Sequence, residues 1–234
     1  MPIMLFTGQV IAMVSIVPMI LIANWWQWLV CLLMYQLIVT VGISMGYHRF
    51  LSHKIFNCPR WFEYVMLFFA HIMMVGPATL WVANHREHHA YTDTDKDPHS
   101  PKYKGWVYAH FLQVFTIPKI KYMVDLLRDS LYKTQHKYYW ILMILWVIAL
   151  LLIDPWAILY AWLAPAGIAK LLGSLVFSFS HRNGHPNNDT WVALVSGGEG
   201  YHEPHHSNSR LSRWGKYDLG GLIIEKCFSK DITT

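Results

Sequence analysis

The sequence predicts an all-α membrane protein in which four transmembrane helices carry a helical cap on the cytoplasmic side. Hydrophobic residues make up 54% of the chain and charged residues only 14%, well below the charged fraction of a soluble domain. The first 47 residues contain no Asp, Glu, Lys, Arg or His, a pattern that lipid requires and a soluble fold does not. At 234 residues the chain is expected to form one domain over 1–234.

Four apolar runs approach the roughly 20 residues that a transmembrane helix needs. They are predicted at 2–23, 29–46, 138–153 and 156–180, with a Trp-rich turn at Asn24–Trp28 and a polar turn at Asp154–Pro155. Apolar residues cover all faces of these predicted helices rather than one stripe. This favours lipid over the alternative for the last two runs, a buried hairpin of a soluble helical protein.

The segment 61–83 is apolar but carries Glu63, His71 and a Gly76–Pro77 break. The stretches on either side of it hold histidine clusters that we expect to share one site, so both must lie on one side of the membrane. A segment of this length cannot cross twice. We therefore predict that it lies along the interface, or is re-entrant and buried against protein.

Charge placement predicts the orientation. All 19 Lys and Arg except Lys170 lie in 49–137 or after residue 180, which by the positive-inside tendency places both termini and the histidines in the cytoplasm. Lys170 is expected to snorkel or to pair internally. The net charge of +5 comes without a basic run or a nucleic-acid motif. The three dispersed cysteines predict neither a disulfide framework nor a Cys-based zinc site.

Nine of the fourteen histidines occur in clusters. They are His48 and His53 in GYHRFLSH, His85, His88 and His89 in NHREHH, His181 in SFSHRN, and His202, His205 and His206 in GYHEPHH. The pattern HxxHH occurs twice, and helix positions i, i+3 and i+4 share a face, so each box is expected to converge on one point. Imidazole suits iron, zinc, copper and nickel. Nine nitrogens exceed the capacity of one ion, so we predict a site for two.

Acidic residues flank the clusters. Asp93, Asp95 and Asp97 follow the second cluster and Glu199 precedes the third. Metal-binding histidines usually donate their other ring N–H to a carboxylate or carbonyl, which makes these four candidates for that role. The alternative is a solvated acidic loop.

Residues His202–His206 also satisfy HExxH, the zinc-hydrolase pattern. Pro204 disturbs the helix that this pattern requires, and a hydrolase would leave the other clusters unexplained. The remaining histidines are expected to be structural or on the surface: His71, His99, His110, His136 and His185.

Three segments resemble the histidine boxes of membrane fatty-acid desaturases of the Δ9 acyl-CoA type: HRFLSH, HREHHAYTDTDKDPHS and GEGYHEPHH. GWVYAH and SRWGKYDLGGLII are also similar to family segments, and the resemblance extends over about Gly46–Asp231. It implies two iron ions, replaceable by zinc in purified protein, with the nine clustered histidines as ligands and His181 as the isolated one. It further implies O₂, a separate electron donor such as ferredoxin or cytochrome b5, and a fatty-acyl substrate on CoA, carrier protein or lipid.

The chain departs from the family pattern at three positions. Phe177 replaces an Asn that commonly supports a metal-bound water, Glu203 replaces an Asn in the third box, and Gln113 replaces a Trp. These changes concern one iron and the substrate tunnel, which Trp81 and Trp106 are candidates to line.

The expected function is O₂-dependent insertion of a cis double bond into a saturated acyl chain. Unactivated methylene groups offer no proton to acid–base catalysis, and zinc has no redox chemistry, so the site predicts redox chemistry. A membrane hydroxylase with the same metal centre, and a membrane metal-binding or transport protein, are the alternatives.

Overall fold

The computed structural model describes residues 1–228, which are helical and contain no strand beyond an isolated bridge between Asn188 and Tyr201. Residues 229–234, the end of the predicted domain, lie outside the described residues. The main helices are α1 (Pro2–Ile22), α2 (Trp25–Ser52), α3 (Arg60–Ile72), α4 (Ala78–Tyr91), α5 (Ser130–Lys137), α6 (Tyr139–Ile153), α7 (Ile158–Ser178), α8 (Thr190–Val195), α9 (His202–Ser207) and α10 (Leu219–Cys227). Short helical turns between α4 and α5 cover Pro101–Lys104, Tyr108–Leu112, Gln113–Phe115, Ile120–Tyr122 and Val124–Arg128.

Within residues 1–228, three helices are long and apolar enough to cross a membrane: α1, α2 and α7. The fourth candidate is α5 together with α6, two helices that meet at a bend of 75°. The 15 residues of α6 span about 22 Å, less than the roughly 30 Å of a bilayer core. Three hydrophobic helices therefore fit a membrane protein, and a fourth crossing depends on the bent pair.

Helix α2 is longer at both ends than the predicted span 29–46. The Trp-rich segment is helical rather than a turn, because Asn24 caps the helix: its side chain accepts from the third residue of α2 while the Gln27 side chain accepts from the Asn24 N–H. At the other end α2 continues through the first histidine to Ser52.

Small residues let the helices approach closely. A Cβ on Gly167 of α7 would lie 2.1 Å from the Ala12 oxygen of α1, and one on Gly42 of α2 would lie 2.5 Å from the Ala70 nitrogen of α3. Such backbone contacts are typical of helix packing in membranes. They bring α1, α2, α3 and α7 into one bundle.

The turn between α3 and α4 is buried, and its backbone carbonyls are satisfied by side chains of the surrounding helices. The donors are Tyr139 Oη to His71 O (3.2 Å), Trp162 Nε1 to Ile72 O (2.9 Å), Gln9 Nε2 to Met74 O (2.9 Å) and Tyr47 Oη to Gly76 O (3.3 Å). Non-helical backbone at membrane depth requires such partners. The predicted re-entrant segment thus has the hydrogen bonding that it needs.

The two short turns lie at the same end of the bundle. The Trp26 ring, just after the α1–α2 turn, lies 5.1 Å from the Tyr160 ring. Tyr160 in turn donates to Asp154, in the α6–α7 turn, at 2.9 Å. The first histidines lie at the opposite end of α2, so all clusters that join them lie far from these turns.

Because Gly167 contacts the backbone of α1, we expect Gly167→Ala to force the two helices apart and to cost about 1–3 kcal/mol. Thermal unfolding of the purified protein in detergent would measure the loss. Gly173→Ala is the matched control, since the added Cβ would lie 3.6 Å from Met73 Cε in ordinary contact. Equal stability of the two variants would contradict the close packing of α1 on α7.

Candidate metal centre

The winding of α2 brings the first two histidines together. Over Leu37–Ser52 this helix forms i→i+5 hydrogen bonds, and the His53 N–H likewise donates to the His48 carbonyl at 3.2 Å. In an α-helix, residues five apart would point roughly 140° away from each other. Here their ring centroids are 5.0 Å apart. The wider turn therefore makes a common site possible for the HxxxxH spacing.

All nine clustered histidines meet in two groups. His48, His53, His85, His89 and His205 form the first cluster, and His88, His181, His202 and His206 form the second. Within each cluster one ligand atom per residue lies within 4.8 Å of the others. The expectation that each HxxHH box converges on one point is wrong. In each box the rings at positions i and i+4 belong to one cluster and the ring at position i+3 belongs to the other. The reason is that the side chains at i+3 and i+4 lie on opposite sides of the side chain at i when the helix is viewed along its axis.

The Nε2 atoms face one another at distances that suit metal ligands. The distances are 2.9 Å for His53–His85, 3.0 Å for His48–His205 and 2.8 Å for His89–His205 in the first cluster, and 3.3 Å for His88–His206 and 3.1 Å for His202–His206 in the second. Octahedral ligands about 2.1 Å from an ion are about 3.0 Å apart. The buried Nε2 of His181 has no hydrogen-bond partner, as a ligand atom awaiting an ion would.

Burial favours the uncharged form of four of these rings. It lowers the pKa of His85, His88, His202 and His205 well below the usual value, and neighbouring imidazoles lower it further. A neutral imidazole has the lone pair that a metal ion requires. The nitrogen set, the spacing and the protonation state all fit two bound metal ions.

Three of the four predicted acidic residues contact the Nδ1 atoms of clustered histidines. Asp93 accepts from His181 Nδ1 at 2.7 Å, Asp97 from His88 Nδ1 at 2.8 Å, and Glu199 contacts His48 Nδ1. Asp95 is exposed. Burial raises the pKa of Asp97 to about 6, although the backbone N–H groups of His99 and Asp93 lower it. Burial also acts to raise the pKa of Glu199, but the charges of His48 and Arg49 outweigh it and the net shift is downward.

Arg49 belongs to the centre and was not among the predicted site residues. It is fully buried, donates to Glu199 at 2.8 Å and to Asp218 at 2.8 and 2.9 Å, and its guanidinium lies 3.5 Å above the Trp214 ring. Asp218 also caps α10 by accepting from the Gly221 N–H at 2.8 Å. The sequence contained one signal for this role: Arg49 is a charged residue directly after His48, at the end of an apolar run.

A cavity lined by residues of both clusters connects them to the helical bundle. His48 and His85 of the first cluster and His202 of the second line it, as do apolar residues such as Leu5 and Ile43. The cavity can therefore present an apolar chain to both clusters at once.

Of the three residues that depart from the family pattern, two lie in the cavity wall and one lies on the surface. Phe177 and Gln113 line the cavity, whereas Glu203 is exposed and bonded to Asn188 through both its carboxylate (2.9 Å) and its N–H (3.1 Å). A hydrolytic general base would have to face the metal, and the Glu203 carboxylate is held elsewhere. This arrangement disfavours the HExxH hydrolase.

The other candidate residues are also accounted for. Trp81 lines the cavity and stacks on His85 at 5.1 Å, while Trp106 stacks on His110 at 4.7 Å. Lys170 pairs internally, donating to the His110 carbonyl at 2.9 Å.

Four of the five remaining histidines have structural or surface positions. His71 lies 3.2 Å from Gln135, His110 2.8 Å from Ser178 and His136 2.6 Å from Thr79, while His185 is exposed. His99 instead stacks on His88 of the second cluster at 4.6 Å.

Comparison with known proteins agrees with this geometry. Residues 23–215 match the family model described as fatty acid desaturase. The chain is 32% identical over 202 residues to the sn-2 palmitoyl-lipid 9-desaturase of Nostoc sp. (strain 36), covering 79% of this chain and 70% of that protein. It is 29% identical over 216 residues to the sn-1 stearoyl-lipid 9-desaturase of Anabaena variabilis, covering 84% and 78%. An acyl-CoA C20 Δ5-desaturase of Anemone leveillei is 28% identical over 225 residues, covering 86% and 71%. The family match and the histidine clusters agree with each other, and several relatives are named as Δ9-desaturases. The chain is an oxidoreductase that belongs to the fatty acid desaturase family.

Proposed function

We propose that this protein is an O₂-dependent fatty-acyl desaturase that introduces a cis double bond, of the Δ9 type, into a saturated acyl chain. The observation that supports this most is the cavity, whose walls combine histidines of both clusters with apolar side chains of the bundle. An acyl chain is the apolar, elongated ligand that such a cavity suits. Names of relatives such as the Nostoc palmitoyl-lipid 9-desaturase support the same substrate class and bond position.

The nine clustered histidines would hold two iron ions, five in the first cluster and four in the second. Iron would supply the redox chemistry with O₂ that unactivated C–H bonds require, since zinc has none. Asp93, Asp97 and Glu199 orient the rings of His181, His88 and His48 by holding their Nδ1 atoms.

The walls of the cavity position the substrate. Trp81, stacked on His85, and Phe177 would hold two adjacent carbons beside the clusters and keep water out. Desaturation and hydroxylation differ in whether the second C–H bond is aligned for removal. Trp81 and Phe177 would therefore determine which product forms. We place no acid–base step on the protein.

In the proposed topology α5 and α6 make the third of four crossings, and both termini and all histidine boxes face the cytoplasm. A separate donor, such as ferredoxin or cytochrome b5, would deliver electrons on that side. The relatives are named for lipid-linked and for CoA-linked substrates, so the acyl carrier is to be decided by experiment.

Metal analysis tests the di-iron centre. We expect about two iron atoms per chain after expression with iron, one for each histidine cluster. His48→Ala and His181→Ala should each remove iron and lower desaturation about 100-fold or more, because ligands matter at least as much as the groups that support them. His136→Ala, outside both clusters, and Glu203→Gln are the controls and should keep both. Iron-free active protein, or full activity in His48→Ala, would contradict the proposal.

Cysteine labelling tests the topology. In a chain with Cys58 and Cys227 replaced by serine, a membrane-impermeant thiol reagent should reach Ile153→Cys, beside the Asp154 turn, only from the side opposite the cytoplasm. Lys133→Cys, an exposed position before α6, should react only from the cytoplasmic side. Labelling of both positions from one side would rule out a crossing by α5 and α6.

The product separates the desaturase from a hydroxylase. Total fatty acids from cells with and without the protein, analysed by gas chromatography and mass spectrometry, should contain a new monounsaturated chain. Loss of two hydrogens makes it two mass units lighter than its precursor, at the same chain length. Hydroxylated chains without a new alkene would show that the second C–H bond is not aligned and that the hydroxylase is the correct assignment.

A further inference from the structure

The two histidine clusters are unequal, and a tenth histidine lies beside the smaller one. The first cluster holds five imidazoles and the second holds four. His99 is 3% exposed and lines the same cavity as His85 and His202. Its ring stacks on that of His88, a member of the second cluster, with centroids 4.6 Å apart and planes 25° from parallel.

One carboxylate fixes His88 and His99 together. Asp97, itself fully buried, accepts from His88 Nδ1 at 2.8 Å through Oδ2 and from the His99 backbone N–H at 3.0 Å through Oδ1. One ligand atom from each of the three residues lies within 4.8 Å of the others. The His99 ring is therefore held in place next to a predicted metal ligand.

His99, unlike His71, combines an unpartnered ring nitrogen with a place in the cavity wall. Its buried Nε2 has no hydrogen-bond partner among the described residues. The nearest ring on its other side is Phe177, at 5.0 Å and 85°, which offers no polar group. Leaving a buried polar atom unpaired costs about 1–3 kcal/mol. A water molecule bound between His99 Nε2 and a metal ion in the second cluster would give this nitrogen a partner.

We propose that His99 completes the second metal position by holding, through Nε2, a water molecule against the ion bound by His88, His181, His202 and His206. This inference rests on the proposed di-iron function. It gives the second ion a fifth position that is occupied from the protein side, as the fifth histidine does for the first ion. Phe177 then serves to keep the His99 ring in place by edge-to-face contact.

The test compares the ⁵⁷Fe-loaded full chain with His99→Phe and His99→Gln. Mössbauer spectra of His99→Phe should have one of the two iron signals shifted and the other unchanged, and that iron should be lost to a chelator about 10- to 100-fold more readily. His99→Gln retains a polar end that can hold water, so it should restore most of the wild-type signal and retention. His71→Phe is the matched control, because His71 is also buried with an unpartnered Nε2 but contacts Tyr139 and Gln135.

The outcomes separate this proposal from the function itself. An unchanged spectrum and iron retention in His99→Phe would make His99 a packing residue and leave the desaturase intact. Equal iron loss in His71→Phe, or equal shifts of both iron signals, would also overturn the role of His99. Wild-type protein without an iron pair would remove both proposals. A wild-type chain that has two irons but forms no alkene would sink the desaturase, while a selective shift in His99→Phe would still support the water-holding role.

Discussion

The candidate metal centre depends on one constraint: buried imidazoles face one another, with five pairs of Nε2 atoms only 2.8–3.3 Å apart. Each Nε2 lone pair needs a proton or a cation opposite it, and the rings must be held in position to face one another. Asp93, Asp97 and Glu199 do this by holding the Nδ1 sides of rings from α2, α4 and the turn after α7. The same three carboxylates place negative charge near the positions of the proposed ions, which favours two divalent cations there.

Arg49 extends this constraint to the C-terminal part of the chain. Burying a guanidinium costs several kcal/mol unless its hydrogen bonds are satisfied, and here Glu199, Asp218 and the Trp214 face together surround it. Arg49 is the residue after His48 in a helix of i→i+5 geometry, so fixing one fixes the other. The segment before α10 is therefore linked to the candidate metal centre although it contains no histidine of either cluster. Removing either carboxylate would leave the buried guanidinium with one of its two charged partners.

Sequence spacing predicted which nine histidines cluster, because HxxHH on a helix is a local feature. Of the acidic residues only Asp97 contacts a nearby histidine, whereas Asp93 and Glu199 contact His181 and His48, which are far away along the chain. The spacing did not predict that each box divides between two clusters, although the opposite deviations of positions i+3 and i+4 are a property of each helix itself. It also could not explain why His48 and His53 share a site. Their proximity requires the i→i+5 hydrogen bonding of α2, and no residue pattern predicts that hydrogen bonding. Asp95 was wrong because its turn directs it to solvent, and His99 seemed structural because only the three-dimensional contact with His88 distinguishes it from His71.

In the proposed topology, the buried turn between α3 and α4 would let one membrane face hold all the histidine boxes. The chain enters through α3, reverses at Met74 and Gly76, which adopt left-handed backbone angles (φ 60° and 99°), and returns as α4, which carries the second box. Gly76 tolerates this conformation without strain, while Met74 has its carbonyl secured by Gln9. Met73, Val75 and Gly76 also line the cavity. The turn that avoids a crossing is thus a wall of the proposed substrate site, so the donors that stabilise it, Gln9 and Trp162 included, also shape where an acyl chain can lie.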